Sequence, residues 1–277
     1  MSKKIAILVL AHKSIDYVEI LARDNKNIFF FIHMDKKTSF TKVKIDNLIY
    51  LDEKSRVDVK WGGFSQVRAT LNLLNFAINY SSELEFFHLI SGEDVFLSSN
   101  KMLEDKLSWA ESEIFLDIEN SRAHRYRARF NAIHAETKIQ RRVLGKFLTI
   151  LLKIFDRLIP TRQEFWFGSN WFSIRRSDLE ILLNAIQDSD IRFFRKKLNP
   201  DEHFFQYIVS KNNLKKNLSF NGNNRYIIFN KKYNNGNNPV YLNCAELMLL
   251  SNTNFFFARK VNLSVQLEFY DQVNKNA

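Results

Sequence analysis

Apolar residues fall in short unbroken runs that alternate with segments of helical period. "KKIAILVLAH" (3–12) is a continuous apolar run closed by a polar turn, the pattern of a strand buried on both faces. A helical segment follows around Ile15–Arg23, and "NIFFFIHMD" (27–35) repeats the strand pattern with His33 and Asp35 at its end. "VDVKWGG" (57–63) reads as a third short strand stopped by two glycines. "FSQVRATLNLLNFAINY" (64–80) is an amphipathic helix with Val67, Leu71, Leu74 and Ala77 on one face. "EFFHLISGED" (85–94) and "EIFLDIEN" (113–120) supply a fourth and a fifth strand. Strands alternating with helices predict an α/β domain with a mostly parallel sheet, whose ligands bind at the carboxyl ends of the strands.

The period breaks at 121–160. "SRAHRYRARF" (121–130) is densely basic, and 138–159 mixes an apolar face with Lys and Arg, with one acid, Asp156, before Pro160. The commoner role for such a helix is to cover the core. The alternative is a basic amphipathic helix lying on an anionic membrane. Beyond it, "FWFGSNWFSIRRSDLEILLNAI" (165–186) reads as strand then helix, with Ser177 or Asp178 able to cap it. "NPDEHFFQYIVSK" (199–211) starts a helix at Pro200, "YNNGNNP" (233–239) is a polar loop, "RYIIFN" (225–230) a late strand and "NLSVQLEFYDQV" (262–273) a terminal helix. The organisation expected is one domain over 1–277: a nucleotide-binding half (1–120), a basic insertion (121–160) and an acceptor and catalytic half (161–277).

A net charge of +11 favours anionic partners: nucleic acid, phosphates, nucleotide sugars or an acidic membrane. The single cysteine, Cys244, excludes an internal disulfide and a cysteine metal cluster. The N-terminal apolar run is too short for a signal peptide and no run reaches transmembrane length, so the expected location is cytoplasmic, with peripheral contact at the inner face of a membrane. No paired-histidine zinc spacing, Walker loop, Gly-x-Ser-x-Gly or Cys/His nucleic-acid motif is present.

Chemistry concentrates in few places. Asp201 and Glu202 stand in a first helical turn, where acids commonly complement the helix dipole but can also serve as a general base. "FFFARK" (255–260) runs an apolar triplet into Arg259 and Lys260. These are either a snorkelling pair or a grip on a diphosphate. Asp188-x-Asp190 reads as a surface loop. Glu93 and Asp94 point apart on an extended chain, while Asp117 and Glu119 remain able to chelate.

Seven segments in order resemble the core-2/I-branching β-1,6-N-acetylglucosaminyltransferases and the related peptide O-xylosyltransferases: "AILVLAHK", "FFFIHMDKK", "VKWGGFSQVRATLNLL", "HLISGEDVFL", "FGSNWFSIRRSDLEIL", "PDEHFFQYIV" and "FFFARKV". Phe96 stands where that family usually has Pro, and 121–160 matches only loosely around "RYRARF". The resemblance implies a GT-A type fold and an inverting transfer from a UDP-sugar to a glycan hydroxyl, with no metal and no cofactor. It implies that Glu202 is the base and that Lys260 and Arg259 hold the diphosphate, with Arg225 a third cation. His12, Asp35, Trp61 and Gly62 fall in its uridine-side segments. Asp94, Ser169 and Trp171 fall in its other substrate-binding motifs. The expected donor is UDP-N-acetylglucosamine, with xylose, galactose and glucose open. The expected acceptor is a glycan or lipid-linked glycan of a surface polysaccharide or lipooligosaccharide, and nucleic acid is not an expected partner. The competing reading is a basic nucleic-acid- or anionic-lipid-binding protein on a degenerate enzyme fold.

Overall fold

The computed structural model of the chain describes residues 4–109, 113–229 and 239–275. The leading strands are β1 (Lys4–Ala11), β2 (Ile28–Met34), β3 (Leu48–Tyr50) and β4 (Leu84–Ser91). Shorter ones follow: β5 (Asp94–Phe96), β6 (Ile114–Phe115), β7 (Glu119–Asn120), β8 (Trp166–Phe167), β9 (Ser173–Arg175), β10 (Arg225–Ile227) and β11 (Phe257–Arg259). The helices of the first half are α1 (Asp16–Asp24), α2 (Phe64–Tyr80) and α3 (Asn100–Lys106). Then come α4 (Arg125–Arg129), α5 (Val143–Leu158), α6 (Arg176–Asn184), α7 (Asp188–Phe194), α8 (Phe204–Lys211), α9 (Cys244–Leu250) and α10 (Leu263–Lys275).

The main sheet runs in the order β3-β2-β1-β4-β9-β6. The first four strands are parallel, β9 is antiparallel to β4, and β6 is antiparallel to β9. Alternation along β1 explains the layers. Ile5, Ile7 and Val9 pack toward α1, α9 and α10, against Val18, Leu21, Leu247 and Phe269. Ala6 and Leu8 pack toward α2, α6 and α8, against Val67, Leu74, Leu179 and Ile208. Ile5 to Val9 are wholly buried, as the unbroken apolar run requires of a strand covered on both faces. The result is the expected α/β architecture with a mostly parallel central sheet flanked by helices.

Several expectations change. The third strand is Leu48–Tyr50, which pairs with Phe30–Ile32. The segment 57–63 instead crosses the carboxyl end of the sheet, where the Val57 N–H donates to His33 Nε2 (2.9 Å) and the Val57 carbonyl accepts from Lys36 (3.1 Å). "EIFLDIEN" divides, because Ile114–Phe115 pairs with β9 and Glu119–Asn120 with β8 in a separate ribbon. Helix α6 starts one residue before Ser177 with Arg175 at the N-cap position, and the Asp178 carboxylate accepts from Asn217 (2.7 Å). Asp188 and Asp190 open α7 rather than a surface loop. Asp190 is buried, closes a capping box with Gln187 and accepts from Lys211 (2.9 Å). The polar loop read at 233–239 lies, except for Pro239, outside the described residues.

Phe96 has a local reason for not being proline. Its N–H donates to the Tyr17 hydroxyl (3.1 Å), and its ring packs on Phe257 across the β5–β11 pair. Proline has no such donor.

Candidate active site

A cleft of ≈ 1370 Å³ opens at the carboxyl ends of β1, β2 and β4. Register builds it: Leu10 stands opposite His33 on one side and Ser91 on the other. His12 and Asp35 line the wall just beyond these strands. Burial outweighs the pull of Glu93 and lowers the His12 pKa, so its imidazole is neutral at pH 7. Asp35 is nearly buried. Its backbone N–H donates to the Ala11 carbonyl (2.8 Å), and its carboxylate accepts the Lys37 N–H (3.0 Å).

Arg259 and Lys260 enter from β11, the middle strand of a three-stranded sheet ordered β10-β11-β5. Antiparallel pairing sets Arg259 opposite Asp94. The guanidinium donates to Asp94 Oδ1 (2.9 Å) and Ser91 Oγ (3.0 Å) and lies over the Trp171 ring, 4.4 Å from its centroid. Lys260 Nζ pairs with Glu93 Oε2 at 2.9 Å. Glu93 also accepts from Lys13 (2.9 Å) and the Tyr241 hydroxyl (2.9 Å). Burial pushes the Glu93 acid up, but its bonds to Lys260, Lys13 and Tyr241 outweigh this and hold it at about 2. Burial would lower Lys260, and its bonds to Glu93 and Tyr241 outweigh this and raise it. Three cations and two carboxylates therefore form a fixed cluster with net positive charge.

Asp94 does not face the cleft. It is buried behind Arg259 and also accepts the Ser91 N–H (2.9 Å), so it orients the arginine. Arg225 lines the cleft but is fully buried, and its terminal nitrogens are committed to the carbonyls of Asn223, Leu89 (2.9 Å) and Phe172 (2.8 Å). Only Nε lacks a partner. Burial lowers this guanidinium to about 9. Its geometry is that of a brace between β4, β9 and β10.

A further stretch of the wall carries Glu202, in a 3₁₀ turn Pro200–Glu202 entered through Asn199 at φ +47°. Its carbonyl accepts the Gly168 N–H (2.9 Å), which ties it to Ser169 and Trp171 on the same wall. The Glu202 carboxylate is ion-paired with Arg127 of α4. Burial raises its pKa, and Arg127 opposes that rise. Asp201 is more deeply buried, with Oδ1 unpartnered. Burial, then the neighbouring Glu202, drives its acid up. Two adjacent carboxyls thus differ, one kept ionisable by an arginine and one disposed to stay protonated. His203 Nδ1 donates to the Trp166 carbonyl (2.6 Å).

The basic insertion closes over this wall. Arg141 stacks on exposed Trp61 at the cleft lip, 3.8 Å from the ring centroid. Gln140 donates to the Gly62 carbonyl (3.2 Å). Gly62 itself faces away from the cleft: it sits at φ +71°, where glycine is favoured, against Asn199 and Gln140. At the amino end of α2 the Glu136 carboxylate takes the Ser65 N–H (3.0 Å) and complements the helix dipole.

Asp117 and Glu119 both line the cleft, and Asp117 accepts the Asn223 N–H (2.9 Å). Among the described residues, no three of His, Cys, Asp and Glu converge as a metal-binding group. The sequence singled out neither Arg127, Lys13 and Tyr241 nor the role of Glu93. Only the position of Glu93 beside Asp94 and the basic density of "RYRARF" pointed that way.

An α/β domain with a mostly parallel sheet and a cleft at its strand ends has the architecture of a GT-A-like glycosyltransferase. A sequence model of the Core-2/I-Branching enzyme family matches residues 5–249, most of the chain, and the protein belongs to that family. A search of curated proteins finds no match.

Proposed function

We propose that this glycosyltransferase moves a sugar from a UDP-sugar to a hydroxyl of a glycan acceptor by an inverting, metal-independent displacement. N-acetylglucosamine is the first donor sugar to test. The observation that carries the reading is the presence of Glu202 and the Arg259–Lys260 pole in the lining of one cleft. In the step, the acceptor oxygen attacks the anomeric carbon and its proton passes to the Glu202 carboxylate. The bond from that carbon to the β-phosphate oxygen breaks, and its electron pair leaves with UDP. A base on one face and fixed positive charge on the other are what such a displacement needs. Arg127 supports the base by opposing the rise in pKa that burial imposes on it.

Glu202→Gln keeps the shape and removes basicity. Transfer should fall by roughly a hundredfold or more, with UDP affinity unchanged in a thermal-shift titration. Near-normal turnover would assign the proton to another group, Asp201 first.

A further inference from the structure

Helix α5 is built inside out. A surface helix ordinarily turns its apolar stripe to the core. At 100° per residue, Gly145, Thr149, Leu152 and Asp156 share one face, and that face meets the protein. Val143, Phe147, Ile150, Ile154 and Leu158 share the opposite face and are exposed, Val143 by 84% and Leu158 by 71%. Lys146, Lys153 and Arg157 lie along one flank between the two.

The protein holds the helix by its polar side. Asp156 accepts from Arg125 Nε (2.9 Å) and Arg129 (3.0 Å). Thr149 Oγ1 bonds His134 Nε2 (2.9 Å). Gly145 lets the turn before the helix approach, since a Cβ there would meet the Ile139 carbonyl at 2.2 Å. Leu152 reaches a small cluster with Tyr126, Ala132 and Leu198. These contacts set the helix rigidly with its apolar face outward, so the commoner core-covering role read for 138–159 does not hold.

We propose that α5 is an in-plane membrane anchor, its apolar face seated in an anionic lipid surface. Charge selects this occupant. The one acid in α5, Asp156, is buried and paired, so every exposed charge on the helix is positive. A second copy of this face would bring like charges together, whereas anionic headgroups complement them. At 16 residues α5 does not span a bilayer, and among the described residues no helix is long and apolar enough to cross one. An amphipathic helix with a cationic flank lies in the interface. Because Arg141 and Gln140 tie this insertion to Trp61 and Gly62, anchoring sets the cleft lip beside the lipid surface. On the transfer reading above, that favours an acceptor carried on a lipid.

The test needs neither donor nor acceptor, so it stands apart from the transfer reading. Full-length protein is sedimented with vesicles of phosphatidylglycerol and phosphatidylcholine, or of phosphatidylcholine alone. Binding to the anionic vesicles should be about a hundredfold or more tighter and should weaken with salt. Arg142→Gln/Lys146→Gln/Arg157→Gln should weaken it roughly a hundredfold, at about fivefold per charge. Phe147→Ser/Ile154→Ser should abolish it while leaving the melting temperature unchanged, because both side chains are exposed. Three outcomes would overturn the proposal: no wild-type binding, full binding by the serine variant, or a dimer in sedimentation velocity that the serine variant dissolves, which makes a second copy the occupant.

Discussion

Glu93→Gln isolates the hub of the cation cluster. The glutamine keeps the shape and one acceptor but gives up the charge that Lys13 and Lys260 share. The Glu93 carboxyl is only 11% exposed, and its pKa falls from an ordinary 4.5 to about 2. At about 1.4 kcal/mol per unit, that difference corresponds to roughly 3 kcal/mol of folding stability. For a chain of this size the melting temperature should drop by roughly 6 °C at pH 7. The sign in acid follows from a depressed carboxylate. Its contribution is complete above the unfolded pKa and is lost as pH falls through the folded one. The gap between wild type and variant, read from urea midpoints, should therefore be constant from pH 6 to 8. It should shrink to about half near pH 3 and close near pH 2. A variant as stable as wild type at pH 7, or a gap that acid leaves unchanged, would refute the hub.

Arg127→Gln removes the largest opposition to burial at Glu202 and leaves the Asn199 hydrogen bond, so its pKa rises; the acid limb of the transfer rate should move to higher pH, and an unmoved limb would remove Arg127 from the role. Lys260→Ala should weaken UDP binding about ten- to a hundredfold, from the 1.5–3 kcal/mol of a charge-assisted contact, and leave uridine binding alone. Wild-type turnover should survive excess EDTA; loss restored by Mn²⁺ would count against the cation cluster and point to Asp117 and Glu119.

Three of the four parallel strands were legible because a strand covered on both faces has no polar positions to disguise it, as Ile5–Val9 illustrate. The acidic and cationic motifs were legible as residue types, and the structure brings Glu202, Arg259, Lys260, His12, Asp35, Trp61, Ser169 and Trp171 to one cleft. Which partner each side chain has was not legible. Lys13 and Lys260 meet at Glu93 only through sheet packing, and the hydrogen bonds that make Arg225 a brace come from strands far apart in the chain. The third strand was misplaced because "VDVK" alternates like a strand, while its N–H and carbonyl groups are satisfied by His33 and Lys36 instead. Periodicity identified α5 as amphipathic but could not say which way its apolar side turns, since the polar face has its own buried partners.

The Glu136 carboxylate at the start of α2 bears on how a donor is oriented. A helix amino terminus behind two glycines is a seat that phosphates seek. Here the chain places a side chain of its own, Glu136, so the α2 end of the cleft is poorer in anion affinity than the β11 end. On the proposed reading, this polarity lets a nucleotide sugar enter only one way round. The same carboxylate couples two functions. A change that pulls Glu136 away would both loosen the roof over the cleft and open a second resting place for the diphosphate, giving slow turnover through misoriented binding rather than weak binding.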